Sequence, residues 1–216
     1  MPPVILVSGN DTDVGKTHAC AALVRRLVAS RHTSYLKPVE TGAATPIDAA
    51  QVAEEAASSD LLVHTLLSFR APLAPVEAAR LEGETIDFPH LLDQVRALAA
   101  SADGPLVVEG AGGLATPIDE TGRDWLTFAR ALPVDYLVLV AENRLGLLNQ
   151  VRLLASYLGN VTFPCGLWLN QVHPQDAATL EANARALPRE VLPVWAEQTL
   201  GASEPAFTAF PWETST

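Results

Sequence analysis

An apolar run followed by a glycine-bounded loop opens the chain, where residues 3–17 read PVILVSGNDTDVGKT. The continuous apolar run at 3–8 predicts a strand that is covered on both faces. Residues 16–30 then carry Ala, Leu and Val at helical spacing, which predicts a helix. A loop between a buried strand and a helix N-terminus directs backbone N–H groups at one point, and this arrangement favours an anion.

The loop has the composition of a nucleotide-binding loop. Its last three residues, GKT at 15–17, match the end of the pattern G-x-x-x-x-G-K-[ST], in which the lysine reaches the phosphates and the hydroxyl holds Mg²⁺. The first glycine lies one residue early, at Gly9, and Asn10 takes the usual glycine position. The side chains of residues 11–13 would lie beside the terminal phosphate. We therefore predict that a second substrate is recognised there.

Short apolar runs alternate with helix-like stretches through the rest of the chain. Further strands are predicted at 34–39, 105–110, 134–141, 163–170 and 191–196, and helices at 48–57, 75–82, 88–101, 123–132, 146–158 and 176–187. Pro38 should end its strand, because proline cannot continue a central ladder. Residues 61–83 are less regular apart from the helix at 75–82. The alternation predicts one α/β domain over residues 1–216 of the P-loop NTPase type. Its parallel, twisted sheet should have about seven strands and helices on both faces, with residues 201–216 as a divergent C-terminal tail.

Composition limits the partners. The 216 residues are 49% hydrophobic and 18% charged, which is typical of a globular protein. A net charge of −11 without a basic patch disfavours nucleic acid and anionic membranes. The start has no signal-peptide pattern, and no apolar stretch approaches the roughly 20 residues of a membrane span. These features predict a cytoplasmic protein.

The basic residues are distributed unevenly between arginine and lysine. Of the fourteen, only Lys16 and Lys37 are lysines. Lys37 lies near the end of the second predicted strand, and ligand sites of such sheets lie at the carboxyl ends of strands. An ammonium group is a compact point charge that fits between phosphate oxygens and a reacting centre better than a guanidinium does. A direct role for Lys37 is therefore predicted, with a solvated surface lysine as the alternative.

An acid stands at the end of another predicted strand. Glu109 precedes a glycine-rich turn in VEGAGG, residues 108–113, and could hold Mg²⁺ opposite Thr17. The alternative is a plain helix cap. Asp48 has the same two interpretations, as a metal ligand or as the cap of the helix at 48–57. Asn170 ends the strand at 163–170, and its amide matches the donor and acceptor edge of adenine.

Three of these segments resemble the dethiobiotin synthetase family: GNDTDVGKT, LKPVET at 36–41, and VEGAGG. The resemblance continues to about residue 197. It implies a MgATP-dependent enzyme that converts 7,8-diaminononanoate and CO₂ to dethiobiotin, ADP and phosphate, through a carbamate and a carbamic–phosphoric anhydride. It also implies a homodimer with substrate near the interface.

The resemblance also implies which residues act. For catalysis it implies Lys37, Lys16 and Thr12. For ATP it implies Asp13, Val14, Gly15, Lys16, Thr17, His18, Asp48, Glu109, Gly110, Ala111, Gly112, Asn170, Pro193, Val194 and Trp195. For the diamine it implies Thr12, Lys37, Thr41, Gly112, and the helix start Leu147, Leu148 and Asn149. For Mg²⁺ it implies Thr17, Asp48 and Glu109.

Two alternatives share parts of this pattern. A partition-type ATPase switch would bind a protein partner or DNA, but such proteins usually carry an additional lysine early in the loop, where Asn10 and Asp11 stand here. A cobyrinate-type amidoligase would need a glutaminase domain with a reactive Cys and His, for which 216 residues leave no room.

Overall fold

The computed structural model describes residues 2–29, 31–43, 45, 47–208 and 210. The strands are β1 Val4–Gly9, β2 Thr33–Thr41, β3 Leu61–Phe69, β4 Leu106–Glu109, β5 Tyr136–Glu142, β6 Cys165–Asn170, β7 Val194–Gln198 and β8 Ala206–Phe207. The helices are α1 Lys16–Val28, α2 Asp48–Ala56, α3 Pro75–Leu81, α4 Phe88–Ser101, α5 Trp125–Ala131, α6 Leu147–Leu158 and α7 Ala177–Ala186.

The described strands form one sheet in the order β3-β2-β4-β1-β5-β6-β7-β8. Strands β1 to β7 are parallel and β8 runs antiparallel to β7. The predicted α/β fold with a parallel sheet is confirmed. Strands β2 and β3, which follow β1 in the chain, lie on one side of β1 in the sheet. Strands β5, β6 and β7 lie on its other side. The loop after β1 therefore lies at the switch point of the sheet, where ligands bind in such folds.

Apolar side chains cover both faces of the sheet. On one face, Ile5 and Val7 pack with α1 and α2; on the other, Leu6 packs with helices α3 to α6. Ile5 and Leu6 are both fully buried, which explains why the first strand is a continuous apolar run instead of an alternating one. Among the described residues, no helix combines the length and the apolar character that crossing a membrane requires.

The prediction that Pro38 ends the second strand is wrong. Strand β2 continues through Pro38 to Thr41, and its pairing with β3 extends to the same residue. In a parallel strand, successive N–H groups point to opposite neighbours. Ser34 donates to Pro105, so the nitrogens at even positions face β4, and that ladder already stops at Leu36. The missing N–H of Pro38 therefore removes no ladder bond.

Two strands lie where none was predicted. β3 occupies part of the region without a regular pattern; it is an edge strand whose side chains are mostly half-buried or exposed. β8 lies in the predicted C-terminal tail, of which residues 209 and 211–216 are outside the described part. Phe207 packs edge-on against Trp168, with ring centroids 5.6 Å apart, so this part of the tail completes the core.

Gly104 provides a test of the packing at the amino end of the sheet. A Cβ at Gly104 would lie 1.7 Å from the backbone oxygen of His32. Since backbone must move to admit it, Gly104→Ala should lower the free energy of unfolding by about 3 kcal/mol in urea denaturation. Gly83→Ala is the control, because a Cβ there meets no described atom within 4 Å but has a φ of +75°. It should cost about 1 kcal/mol from backbone strain alone, and equal losses in the two variants would contradict the packing argument.

Candidate active site

The loop between β1 and α1 is shaped to present backbone donors. Gly15 precedes α1 with a φ of 84° and Asp13 has a φ of 56°. No described side chain caps this end of α1, so its first N–H groups remain available for an anion. The Lys16 ammonium donates to the backbone oxygen of Asp11 at 2.9 Å and so lies across the loop.

Glu109 is the centre of the buried polar network at this edge of the sheet. Its side chain is 1% exposed. Its Oε1 accepts from Thr17 Oγ1 at 2.9 Å and from Lys37 Nζ at 2.6 Å, while Oε2 accepts from Tyr35 OH at 2.9 Å. Burial alone would raise the pKa of this carboxyl, but the Lys37 ammonium and the hydroxyl donors outweigh it and hold the pKa below its usual value. Glu109 is therefore an ionised carboxylate.

The two lysines differ in their environments. Lys37 Nζ lies 2.6 Å from Glu109 Oε1 and 2.6 Å from Asp48 Oδ2. Burial would lower the pKa of Lys37, but these two carboxylates reverse the effect and raise the pKa above its usual value. For Lys16, burial and the nearby charge of Lys37 instead lower the pKa. Lys37 is thus the more firmly held cation.

Asp48 does not serve as the cap of α2. It is the first residue of α2, and the capping position is Ile47. The backbone N–H groups of Ile47 and Asp48 both donate to Glu40 Oε1, at 2.6 and 3.0 Å. Because Glu40 satisfies this helix end, the Asp48 carboxylate is left to pair with Lys37. The structure therefore decides against the cap and brings Asp48 to the site.

Most of the predicted phosphate and metal residues line one cavity of about 300 Å³. Its lining residues are Thr12, Asp13, Gly15, Lys16, Thr17, His18, Lys37, Thr41, Asp48, Gln51, Glu109, Ala111 and Gly112. Val14 is buried at the base of the loop, and Gly110 directly follows Glu109. Both lysines of the chain thus face the same space, together with the three predicted metal ligands.

A second cavity adjoins the first. It measures about 430 Å³ and shares Thr12, Thr41, Ala111 and Gly112 with the first cavity. Its remaining lining residues are Pro72, Leu73, Ala74, Pro75 and Thr116. Gly112 has a φ of +69°, and a Cβ there would lie 2.6 Å from Thr116 Oγ1, so this turn requires glycine. The second cavity is bounded by apolar side chains on the side away from the phosphate loop.

Asn170 supports the loop. Its Nδ2 donates to the backbone oxygen of Val14 at 3.0 Å, and the residue is 4% exposed. The structure does not bring the predicted Pro193, Val194 and Trp195 to this place. Val194 pairs with Leu167 at the start of β7, and four residues at about 3.3 Å each separate it from the end of that strand.

Gln198 to Leu200 lie beside the end of β6. Gln198 is the register partner of Asn170, and its backbone oxygen accepts from Gln171 at 2.9 Å. Trp195 instead packs against Tyr136, with ring centroids 6.4 Å apart. The sequence prediction ended β7 at residue 196, two residues before its end at Gln198.

The predicted helix start Leu147, Leu148 and Asn149 does open α6, behind Gly146 with a φ of 97°. Leu147 is buried in the core and Asn149 is exposed. Asn10 Nδ2 donates to Gln150 Oε1 at 2.7 Å, so the first turn of α6 contacts the start of the phosphate loop. These three residues do not line either of the two cavities within the chain.

Sequence reasoning did not identify Tyr35, Glu40 or Gln51. Tyr35 precedes Lys37 by two residues, so period-two alternation places both on one face of β2. That spacing was the available signal for Tyr35. Glu40 gave none, because its role depends on where the next helix begins.

The fold and the loop define a class, the P-loop nucleotide-binding proteins. Solved structures with this fold include the cell division protein FtsY of Thermotoga maritima, at 17% identity and a TM-score of 0.58, covering 96% of this chain and 65% of that one. A ParA family ATPase of Chlorobium tepidum TLS aligns with a TM-score of 0.54 at 14% identity, over 91% of this chain and 83% of that one. At these identities the likeness concerns the fold alone.

Sequence relatives define the class further. A family model described as AAA domain matches residues 4–193. The chain is 37% identical over 192 residues to the ATP-dependent dethiobiotin synthetase BioD of Anaeromyxobacter dehalogenans (strain 2CP-C), over 86% of this chain and 84% of that protein. It is 35% identical over 203 residues to the protein of the same name from Xanthomonas oryzae pv. oryzae (strain PXO99A), over 90% and 89%. The chain belongs to the ATP-dependent dethiobiotin synthetase family, which confirms the predicted resemblance and makes it an ATP-dependent ligase that forms carbon–nitrogen bonds.

Proposed function

We propose that this chain closes the ureido ring of dethiobiotin from 7,8-diaminononanoate, CO₂ and MgATP. The observation that carries the proposal is the single cavity lined by both lysines, the phosphate loop and the carboxylates of Asp48 and Glu109. The adjoining cavity supports a second substrate beside the terminal phosphate, because the two share Thr12 and Thr41.

The donor set of the first cavity fits Mg²⁺. Thr17 Oγ1 and the carboxylates of Asp48 and Glu109 are oxygen donors, which magnesium prefers. In the described ranges, no group of three or more His, Cys, Asp or Glu side chains is arranged to hold a metal. Two carboxylates and a hydroxyl suit a cation whose remaining ligands are phosphate oxygens and water. When bound, magnesium neutralises phosphate charge and fixes the direction of phosphoryl transfer.

The chain's own residues supply positioning and charge. One amine of the substrate captures CO₂ as a carbamate, a carbamate oxygen takes the γ-phosphoryl group, and the second amine attacks the activated carbon and releases phosphate. Lys16 and Lys37 offset the negative charge of the carbamate and the transferring phosphoryl group. Thr12 and Thr41 lie between the two cavities and are suited to orient the diamine. The apolar wall formed by residues 72–75 suits its alkyl chain.

A homodimer with substrate near the interface is part of the proposal. Leu145, two residues before α6, is 80% exposed, and Leu153 within α6 is 62% exposed. Such exposed apolar side chains near Asn149 favour an interface in which a second copy of the chain buries them. The N–H groups of Leu148 and Asn149 at this helix start would then bind the substrate carboxylate of the partner.

The test is incorporation of labelled bicarbonate into an acid-stable product. We expect label only when both ATP and 7,8-diaminononanoate are present, with one ADP formed per product. If the rate of ATP hydrolysis is the same with and without the diamine, the protein is better explained as a nucleotide switch, and the proposed reaction is overturned.

Lys37→Arg tests the role of the ammonium group. Arginine keeps the charge, but its planar guanidinium cannot reproduce the position of a single nitrogen 2.6 Å from both Asp48 and Glu109, so the charge is displaced. We expect turnover to fall about 100-fold, with a smaller loss of ATP affinity in isothermal titration. An activity equal to that of the unchanged protein would remove Lys37 from the chemistry.

A further inference from the structure

Lys37 lies between two of the residues proposed to hold the metal. Its ammonium is 2.6 Å from one oxygen of Asp48 and 2.6 Å from one oxygen of Glu109. The same Glu109 oxygen accepts from Thr17, at 2.9 Å. Two of the three proposed metal ligands therefore already contact a cation that belongs to the chain, and the third is bonded to one of them.

We propose that Lys37 and the divalent cation compete for the carboxylates of Asp48 and Glu109, so that arrival of the metal with its nucleotide releases the Lys37 ammonium toward the terminal phosphate. This inference rests on the proposed metal site. It adds that the catalytic lysine becomes available only when that site is filled.

The distances support competition. Mg²⁺ lies about 2.1 Å from its oxygen ligands, and an ammonium 2.6 Å from both carboxylates fills the same gap. Two cations that close together repel strongly in a buried site. The Lys37 side chain is 5% exposed, so water screens this repulsion little.

The Lys37 ammonium can also move within the cavity once it leaves the carboxylates. Its four-carbon stem is flexible, and Lys37 lines the same cavity as Thr12, Thr41 and Lys16. Lys16 does not compete in this way, because its ammonium contacts the backbone oxygen of Asp11. The two lysines are therefore predicted to respond differently to metal.

Binding of Mn²⁺ without nucleotide tests the proposal. Free Mn²⁺ is followed by electron paramagnetic resonance in the unchanged protein, Lys37→Met and Lys16→Met. We expect Lys37→Met to bind Mn²⁺ at least about 10-fold more tightly than the unchanged protein, since the metal no longer has to displace an ammonium. Lys16→Met removes the same charge from the same cavity and should stay within about 3-fold. An unchanged Mn²⁺ affinity in Lys37→Met, or an equal gain in both variants, would overturn the proposal.

A second measurement avoids dependence on the folding of Lys37→Met. In protein labelled with ¹⁵N-lysine, only two Nζ signals are expected, since the chain has two lysines. Saturation with ADP and Mg²⁺ should shift both signals, whereas ADP with a chelator should shift the Lys16 signal alone. A Lys37 signal that does not respond to Mg²⁺ would overturn the competition.

The two proposals fail separately. If bicarbonate is not incorporated while Lys37→Met gains Mn²⁺ affinity, the proposed reaction is wrong and the competition holds. If bicarbonate is incorporated and the Mn²⁺ affinity is unchanged, the competition is wrong and the reaction holds.

Discussion

Glu109→Gln is expected to lower turnover by about 10²- to 10³-fold, measured as diamine-dependent release of ADP. Thr17, Tyr35 and Lys37 each donate a hydrogen bond to this carboxylate. An amide has one acceptor oxygen, and its NH₂ group would face at least one of these donors. The change therefore removes a proposed metal ligand and also leaves a buried donor unpaired.

The same variant should be less stable. Lys37 would retain only Asp48 as a counter-ion, and breaking one side of a buried ion pair costs about 3 kcal/mol in the free energy of unfolding. Glu142→Gln is the matched control, because Glu142 also ends a parallel strand but pairs with His173 and Arg144, at 2.8 and 3.2 Å. It does not line either cavity of the site. Turnover of Glu142→Gln should stay within about 2-fold of the unchanged protein, and a similar loss in both variants would argue against a specific role for Glu109.

Local patterns predicted the parts of the site that are local. The strand, loop and helix at 4–28 lie within one stretch of chain, so period and glycine position were enough to place the phosphate loop. The alignment of Lys37 and Glu109 with that loop followed from the rule that parallel strands end at one edge of the sheet. What these rules left out was the contact itself, since the 2.6 Å pair joins residues 72 positions apart.

Register and edge effects account for the errors. β3 was missed because most of its side chains are half-buried or exposed and those that reach the core do not alternate strictly, so the sequence pattern is weak. Pro193 to Trp195 were assigned to the base from the family resemblance, and that assignment stays a prediction. The end of β7, expected at residue 196, lies at Gln198, and the pairing of β7 with β6 shifts between Leu167 and Trp168. A register shift of this kind depends on the neighbouring strand and leaves no sign in the sequence of β7 itself.

Gly15→Ala should weaken binding of MgADP by about 100-fold in isothermal titration. A Cβ at Gly15 would lie 2.0 Å from Asn170 Nδ2, and the backbone φ is +84°. The Asn170 side chain is buried and its Nδ2 donates to Val14, so it cannot move aside without losing the bond that supports the loop. The backbone donors of the loop would therefore shift away from the phosphates.

Two comparisons separate the steric clash from backbone strain. Gly122→Ala has a similar φ of +78°, but its Cβ would meet no described atom within 4 Å. It should lose about 1 kcal/mol of stability and keep its affinity for MgADP. Replacing Asn170 by alanine together with Gly15→Ala removes the atom in conflict, so part of the lost affinity should return relative to Gly15→Ala alone. If the double variant binds no better than the sum of the single losses predicts, the clash with Asn170 is not the cause, and the strain at Gly15 acts through the loop alone.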